Sequence, residues 1–110
     1  SYENINNILK KIGKKKISLI HTSFKKNKNI NFKRILALKK KFKLPVSYGN
    51  HSNQINSIPK SVFLKPSCIF FYVRLNKKLI YPDNDHAISL NSLDPILEKI
   101  RRNERMMQKR

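Results

Sequence analysis

Apolar residues recur along the chain with two different spacings. Helical spacing, clearest in Ile5, Ile8 and Ile12, is typical of amphipathic helices with one buried face. It predicts four helices, over residues 2–12, 30–42, 54–64 and 92–107. Short apolar runs predict three buried strands, over residues 17–20, 44–48 and 67–75. The third helix either carries Pro59 in its interior or begins at Pro59, since a proline is tolerated in the first turn. Ser92 is the predicted N-cap of the last helix.

The predicted elements follow the order helix, then strand and helix three times. Apolar strands that alternate with amphipathic helices favour an α/β fold with a parallel sheet and helical crossovers. Such units form either an open layer or an arc of a (β/α) barrel. In both architectures the chemistry sits at the carboxyl ends of the strands, so functional residues are expected in the loops that follow them.

All three histidines of the chain fall in those strand-to-helix loops. His21 follows the first predicted strand, His51 follows the second, and His86 lies in the long loop after the third, beside Asp83 and Asp85. Imidazoles and carboxylates are ligands of divalent metals, so this grouping indicates a site at one rim of the fold. The alternative is that the histidines are ordinary loop residues and that the aspartates only build a turn.

The chain is strongly basic. Its 110 residues include 25 Lys and Arg against 6 Asp and Glu, which gives a formal net charge of +19. A field of this size favours a polyanionic partner, either a nucleic acid or an anionic membrane surface. Codon bias is the other explanation, since Lys, Ile and Asn are read from A/T-rich codons and make up 46 of the 110 residues. The lysines are spread out and not interleaved with aromatic residues, so we favour codon bias.

Composition excludes several classes of protein. The longest apolar run is six residues, from Cys68 to Val73, far short of the ~20 that a membrane helix needs, and no secretory signal pattern opens the chain. The single cysteine, Cys68, forms no internal disulfide, and its place in the third predicted strand predicts a buried core residue. We expect a cytoplasmic domain and, because the chain opens on Ser1, a piece of a longer protein.

Four segments, in order along the chain, carry a resemblance to a known family. Residues 16–23 are similar to a strand ending in LLHCTS, and residues 30–42 are similar to the helix VNLRAIKTLKEKF. Residues 44–52 are similar to LPVGYSDHT, and residues 85–90 are similar to DHKASL. The motifs are those of the N-acetylneuraminate (sialic acid) synthase family, which the chain resembles over nearly its whole length.

The resemblance implies a partial (β/α)8 TIM barrel, made of its last three strand–helix units, without the antifreeze-like domain that usually follows. It implies a condensation of phosphoenolpyruvate with N-acetylmannosamine, or a related sugar, to a nonulosonic acid. It also implies a divalent metal, Mn²⁺ or Mg²⁺, that polarises the sugar aldehyde. In this interpretation His51 binds the metal. Asp85, or Asp83 if the loop is gapped differently, contacts the sugar, and His21 lines the substrate site.

The chain departs from the family at the positions that carry its chemistry. Phe70 stands at the catalytic glutamate, Tyr72 at the second metal histidine, and Gly49 and Asn50 at the serine and aspartate of SDH. A Phe transfers no proton, and a phenol with a pKa of about 10 is a poor substitute for imidazole. We therefore expect a fragment or degenerate relative of the enzyme, inactive as this chain alone, that needs the remainder of the barrel or a second chain. Two alternatives stay open: a small basic nucleic-acid-binding protein, and a structural or regulatory pseudoenzyme.

Overall fold

The computed structural model describes residues 1–14, 17–23, 31–75 and 84–109. Within these residues the helices are α1 (Tyr2–Ile12), α2 (Lys33–Phe42), α3 (Ser57–Lys60) and α4 (Leu90–Gln108), and a 3-10 helix, Ser61–Leu64, continues α3. The strands are β1 (Leu19–Ser23), β2 (Val46–Asn50), β3 (Ile69–Phe70), β4 (Val73–Arg74) and β5 (Ile88–Ser89).

The strands pair in parallel, as the sequence predicts for an α/β fold. β2 lies between β1 and β3, with Leu19 beside Val46 and Tyr48 beside Ile69. β4 pairs with β5 in a second, two-stranded sheet. Only residues 71 and 72 separate β3 from β4. The third predicted strand therefore pairs with β2 through its first half and with β5 through its second half.

The main core lies between β2 and α2. The residues of β2 are buried along its whole length because it is the central strand of its sheet. Val46 and Tyr48 belong to one buried cluster with Ile35, Leu38 and Phe42 of α2. The helical spacing of those three residues is what turns one face of α2 toward the sheet.

A second core joins α4 to α3 and β5. It contains Ile58, Ile88 and Ile96, none of them more than 5% exposed. The Asn103 side chain of α4 also donates a hydrogen bond of 2.8 Å to the carbonyl of Pro59. α4 has 19 residues, but no helix in the described part of the chain is both long enough and apolar enough to cross a membrane.

The sheet face that points away from α2 is open. Alternate residues of a strand point to opposite faces, so Ile20 and Phe70 lie on the other side from Tyr48. Ile20 is 55% exposed and Phe70 is 51% exposed. Within the described residues, about half the surface of each of these two large apolar side chains stays uncovered.

Several predicted boundaries are corrected by the structure. α3 begins at Ser57, so Pro59 lies in the first turn, where its missing N–H leaves no bond unmade. The N-cap of α4 is Ser89 and not Ser92, because the helix already begins at Leu90. β5 lies inside the predicted loop that joins the third strand to the last helix. That strand was missed because two residues are too few to show alternation.

The prediction that Cys68 is buried is wrong, since its side chain is exposed. Its backbone nevertheless joins the sheet, because the carbonyl of Cys68 accepts a hydrogen bond of 3.0 Å from the N–H of Tyr48. An apolar run predicts that a segment is a strand, but it does not say which residue of the segment points outward.

Candidate functional site

A cavity of about 360 Å³ lies where β1, β2 and β3 end. The residues that line it come from the carboxyl halves of these strands and the positions just after them: Ile20, Thr22, Gly49, His51, Phe70, Phe71 and Tyr72. Among these described lining residues none is acidic, and most are apolar or aromatic. This is the rim at which the sequence predicts a site, because parallel strands bring their following loops together there.

A larger cavity, of about 470 Å³, lies at the other end of the strands. The 3-10 helix and the end of α4 border it, and Lys65 and Glu104 are its charged lining residues. Ile69, at the amino end of β3, also borders it, whereas His51 follows the carboxyl end of β2. We therefore take the smaller cavity as the candidate site.

Gly49 forms the floor of the candidate cavity. Its neighbours in the sheet are Thr22 on β1 and Phe70 on β3. A Cβ at Gly49 would lie 2.9 Å from Thr22 Oγ1 and 3.3 Å from Ile20 Cγ2. The serine that the family resemblance implies here would not fit without a shift of these side chains, so glycine at this position matches its neighbours.

Three rings meet beside the cavity, and we call them the His51–Tyr72–His86 cluster. The ring centroids of His51 and His86 are 4.6 Å apart, with an interplanar angle of 31°. The Tyr72 ring lies 5.3 Å from His51 and 5.2 Å from His86, edge-on to both. His51 and His86 are half-buried, and Tyr72 is 43% exposed.

Separate elements hold the members of this cluster in place. His51 directly follows β2, and Tyr72 lies between β3 and β4. The carbonyl of Tyr72 accepts a hydrogen bond of 2.7 Å from the N–H of Ile88, the first residue of β5. Since His86 lies two residues before Ile88, the pairing of β4 with β5 is what carries the His86 ring to the other two.

Asn50 fixes the backbone that presents His51. Its side-chain oxygen accepts a hydrogen bond of 2.8 Å from the Tyr48 hydroxyl, and its side-chain nitrogen donates one of 3.0 Å to the carbonyl of Ser52. All three residues are buried, and burial raises the pKa of Tyr48, which keeps its hydroxyl protonated as a donor. An amide accepts one bond and donates the other, whereas the aspartate of the family, when ionised, could not donate to Ser52.

His21 lies on the other side of the sheet from the cavity. β1 continues to Ser23, so the interpretation of His21 as a residue that follows the strand is wrong. It stands between Ile20 and Thr22, which both line the cavity, and its neighbour in the sheet is Tyr48. The structure therefore does not bring His21 together with His51, and a role for His21 toward substrate stays a prediction.

The surroundings of His21 are only partly polar. Its Nε2 atom is buried and has no hydrogen-bond partner among the described residues. Burial, and to a smaller extent the charge of Arg34, lower the pKa of this imidazole. Both effects favour the neutral ring, which suits a residue packed toward a helix.

The predicted acidic residues are only partly placed. Asp85 is exposed and directly precedes His86 in the turn that leads to β5, and Asp83 lies outside the described residues. In the part of the chain that the structure describes, no three His, Cys, Asp or Glu side chains come together to hold a metal ion. The imidazoles of His51 and His86 are in contact, with their ring centroids 4.6 Å apart.

The sequence predicts that His86 lies at the same rim as His51, but it assigned His86 no role and did not predict that the two rings are in contact. The only signal was the short apolar segment after His86, which contains Ile88 and forms β5. If this segment is interpreted as a strand that pairs with the third predicted strand, His86 is placed at the end of that strand, close to His51.

Several basic side chains serve the fold. The Nζ of Lys39 donates a hydrogen bond of 2.7 Å to the carbonyl of Leu64 and a second one to the carbonyl of Lys65. Arg34 and Lys41 lie over the ring of Tyr2, at 5.8 and 6.0 Å from its centroid. This accounts for part of the positive charge of α2, and a nucleic-acid surface stays the alternative to codon bias.

Parallel strands, with helices on one face and a cavity where the strands end, define an α/β protein, and in such folds ligand sites are found at that rim. Comparison with known families is more specific. The chain belongs to the NeuB family, whose family model matches residues 1–110. The resemblance that the four motifs carry is thereby confirmed.

Two solved structures share the fold of the chain. Spore coat polysaccharide biosynthesis protein spsE from Bacillus subtilis is 18% identical, with a TM-score of 0.81 over 98% of this chain and 32% of that one. A protein described as spore coat polysaccharide biosynthesis protein E, from Chromobacterium violaceum, is 15% identical, with a TM-score of 0.81 over 97% of this chain and 34% of that one. The chain thus spans about a third of the length of these proteins. No curated protein matches it.

Proposed function

We propose that this chain contributes the last strand–helix units of a (β/α)8 barrel to a sialic acid synthase-like protein of sugar biosynthesis. The substrates of the whole protein are phosphoenolpyruvate and N-acetylmannosamine or a related amino sugar, and the chain alone does not condense them. Membership of the NeuB family supports this proposal, as does a fold match that covers nearly all of this chain and only a third of its neighbours. Because phosphoenolpyruvate is a cytoplasmic metabolite, we place the protein in the cytoplasm.

The open sheet face supports the need for further barrel strands. In a closed barrel the side chains opposite the helices fill the interior, and Ile20 and Phe70 have that orientation while more than half exposed. Val73 and Leu75 add further exposed apolar surface, at 44% and 52%. The partner is the remainder of the barrel, supplied by the same polypeptide or by a second chain.

Phe70 is the single observation that carries the proposal of inactivity. It lines the candidate cavity at the position where the family resemblance implies the catalytic glutamate. General acid–base catalysis contributes about 10²–10⁴-fold to a rate, and a benzyl side chain supplies none of it. The cavity therefore retains its place at the strand ends and lacks the group that would move a proton.

The donors beside the cavity fit a divalent ion only in part. His51 and His86 offer two imidazoles, and the described lining residues include no carboxylate. Mg²⁺ prefers oxygen ligands, so this donor set suits Mn²⁺ better than Mg²⁺. When bound, such an ion supplies Lewis-acid polarisation of the sugar aldehyde. His51 would hold the ion, and Thr22 presents a hydroxyl group to the same cavity.

Phosphate release from phosphoenolpyruvate in the presence of N-acetylmannosamine and Mn²⁺ tests the proposal. We expect no release above the rate in buffer, whereas an active sialic acid synthase in the same buffer shows that the assay works. Phe70→Glu combined with Tyr72→His restores the family's residues, and Phe70→Leu combined with Tyr72→Phe is the matched control. We expect both double variants to be inactive, because the other barrel strands are needed. Sialic acid formation by the unmodified chain would overturn the inactivity, and formation by the restored variant would overturn the need for further strands.

A further inference from the structure

We propose that His86 supplies the second imidazole of a two-histidine cation site with His51, and that Tyr72 stands beside this site without binding the ion. The inference deepens the proposed function, since it concerns the same cavity. It rests on the proposed function only for the choice of this cavity as the functional site. The family resemblance implies a ligand at position 72, whereas the structure brings a different residue to His51.

The separation of the two rings fits a shared ion. A metal–nitrogen distance of about 2.1 Å places an imidazole centroid about 3.2 Å from the ion. For ligand angles of about 90–110°, two such centroids are then about 4.5–5.2 Å apart. The observed separation of His51 and His86 is 4.6 Å, which lies within the range that one shared ion requires.

The backbone around the pair is held by packing and by strand pairing. His51 follows β2, which is buried along its length, and His86 precedes Ile88, which is 0% exposed. The N–H of Ile88 bonds to the carbonyl of Tyr72, and Val73 is the partner of Ile88 in the β4–β5 ladder. The two histidines therefore come from anchored positions, which limits the entropy lost when an ion orders them.

The chemistry of the pair also indicates which ions it takes. Imidazole suits Zn²⁺, Ni²⁺ and Cu²⁺, while carbonyl, carboxylate and water suit Mg²⁺ and Mn²⁺. A site built on two imidazoles should thus prefer Ni²⁺, Co²⁺ or Zn²⁺ over Mn²⁺, and Mn²⁺ over Mg²⁺. The edge-on Tyr72 ring, 5.3 Å from His51, closes one side of the pair.

Proton NMR of the three histidines locates the site directly, since the chain has no others. Paramagnetic Co²⁺, added below one equivalent at about 0.15 M salt, where the screening length is about 8 Å, broadens the ring signals of residues that bind it. We expect the signals of His51 and His86 to broaden together and that of His21 to stay sharp. Broadening of His51 alone, or equal broadening of all three signals, would overturn the proposal.

Variants separate His86 from Tyr72. Removing even an outer partner of a metal site costs about 10–100-fold in affinity, so we expect His51→Ala and His86→Ala each to weaken Ni²⁺ binding at least tenfold in calorimetric titration. Tyr72→Phe should bind as the unmodified chain does, and His21→Gln is the matched histidine control. Far-UV circular dichroism and the His21 signal report whether each variant is folded. Full affinity in a folded His86→Ala, or a tenfold loss in Tyr72→Phe, would overturn the assignment.

The two proposals fail separately. Cation binding is measured without substrate, so a site shared by His51 and His86 is supported even if the whole protein turns over a different sugar or none. A failed titration, in turn, leaves the condensation assay and its double variants to decide the proposed function.

Discussion

Gly49→Ala tests the close approach of β1 and β2 at the floor of the cavity. The added Cβ would lie 2.9 Å from Thr22 Oγ1, which is about 0.6 Å inside the ~3.5 Å at which contacts between heavy atoms become favourable. The second contact, 3.3 Å to Ile20 Cγ2, is also short. Both atoms belong to side chains of β1, so the short contacts can be removed only by rotation of these side chains or by a shift of β1.

Rotation of the Thr22 side chain removes the short contact in only one of its orientations. Thr22 is branched at Cβ, so only one of its three staggered positions turns a hydrogen toward Gly49. Overpacking of this kind costs about 1–3 kcal/mol, and we expect Gly49→Ala to lower the free energy of unfolding by that amount. Urea denaturation followed by far-UV circular dichroism measures the loss.

Thr22→Ala removes the atom that the new methyl group meets. In the double variant with Gly49→Ala we therefore expect part of the loss to be recovered, with a coupling free energy of about 0.5–3 kcal/mol between the two sites. Ser47→Ala is the matched control on the same strand, since Ser47 lies on the same sheet face as Gly49 but pairs with Ile20 and not with Thr22. If Gly49→Ala is as stable as the unmodified chain, or if the two substitutions are simply additive, the packing described for this floor is wrong.

Three further predictions concern the surroundings of the site and the charge. Asn50→Asp should lower the free energy of unfolding by about 1–3 kcal/mol at pH 7, because the buried hydrogen bond to the Ser52 carbonyl is lost. This loss of stability should be smaller at pH 4, where a protonated carboxyl group can donate again. Equal losses at the two pH values would contradict the prediction. The pKa of His21 is lowered by burial and Arg34, so below about pH 6.5 the unfolded chain binds more protons than the folded one. The free energy of unfolding should reach its full value above that pH and fall as the pH drops below it. His21→Gln should reduce the change of the urea midpoint between pH 7 and pH 5. An unchanged pH dependence of the midpoint in this variant would contradict the assignment to His21. If the net charge of +19 reflects codon bias, any binding of labelled RNA should be weak and without sequence preference. A tight complex lost steeply between about 50 and 200 mM salt would favour the nucleic-acid alternative.

The pattern of the chain was sufficient for the order of the main elements. α1 ends before Gly13, as its apolar spacing predicts, and Gly13 takes a φ of 85° that glycine adopts readily. Periodicity reports which side of a segment is buried, and that is a local property of helices and strands. Four short motifs sufficed for the family, because they stand in the right order over nearly the whole chain.

The composition of the site was decided by tertiary structure. His21 faces away from the cavity because β1 continues past it to Ser23, so its side chain alternates with those of Ile20 and Thr22. A shift of one residue in the strand would exchange the two faces. The approach of His86 to His51 depends on the pairing of β4 with β5, in which each strand contributes two residues. Two residues are too few for a recognisable alternation, and their pairing is fixed by long-range contacts such as those of Ile88 in the second core. The sequence by itself therefore determined the fold class and the rim of the site, and only the packing of distant segments decided which side chains meet there.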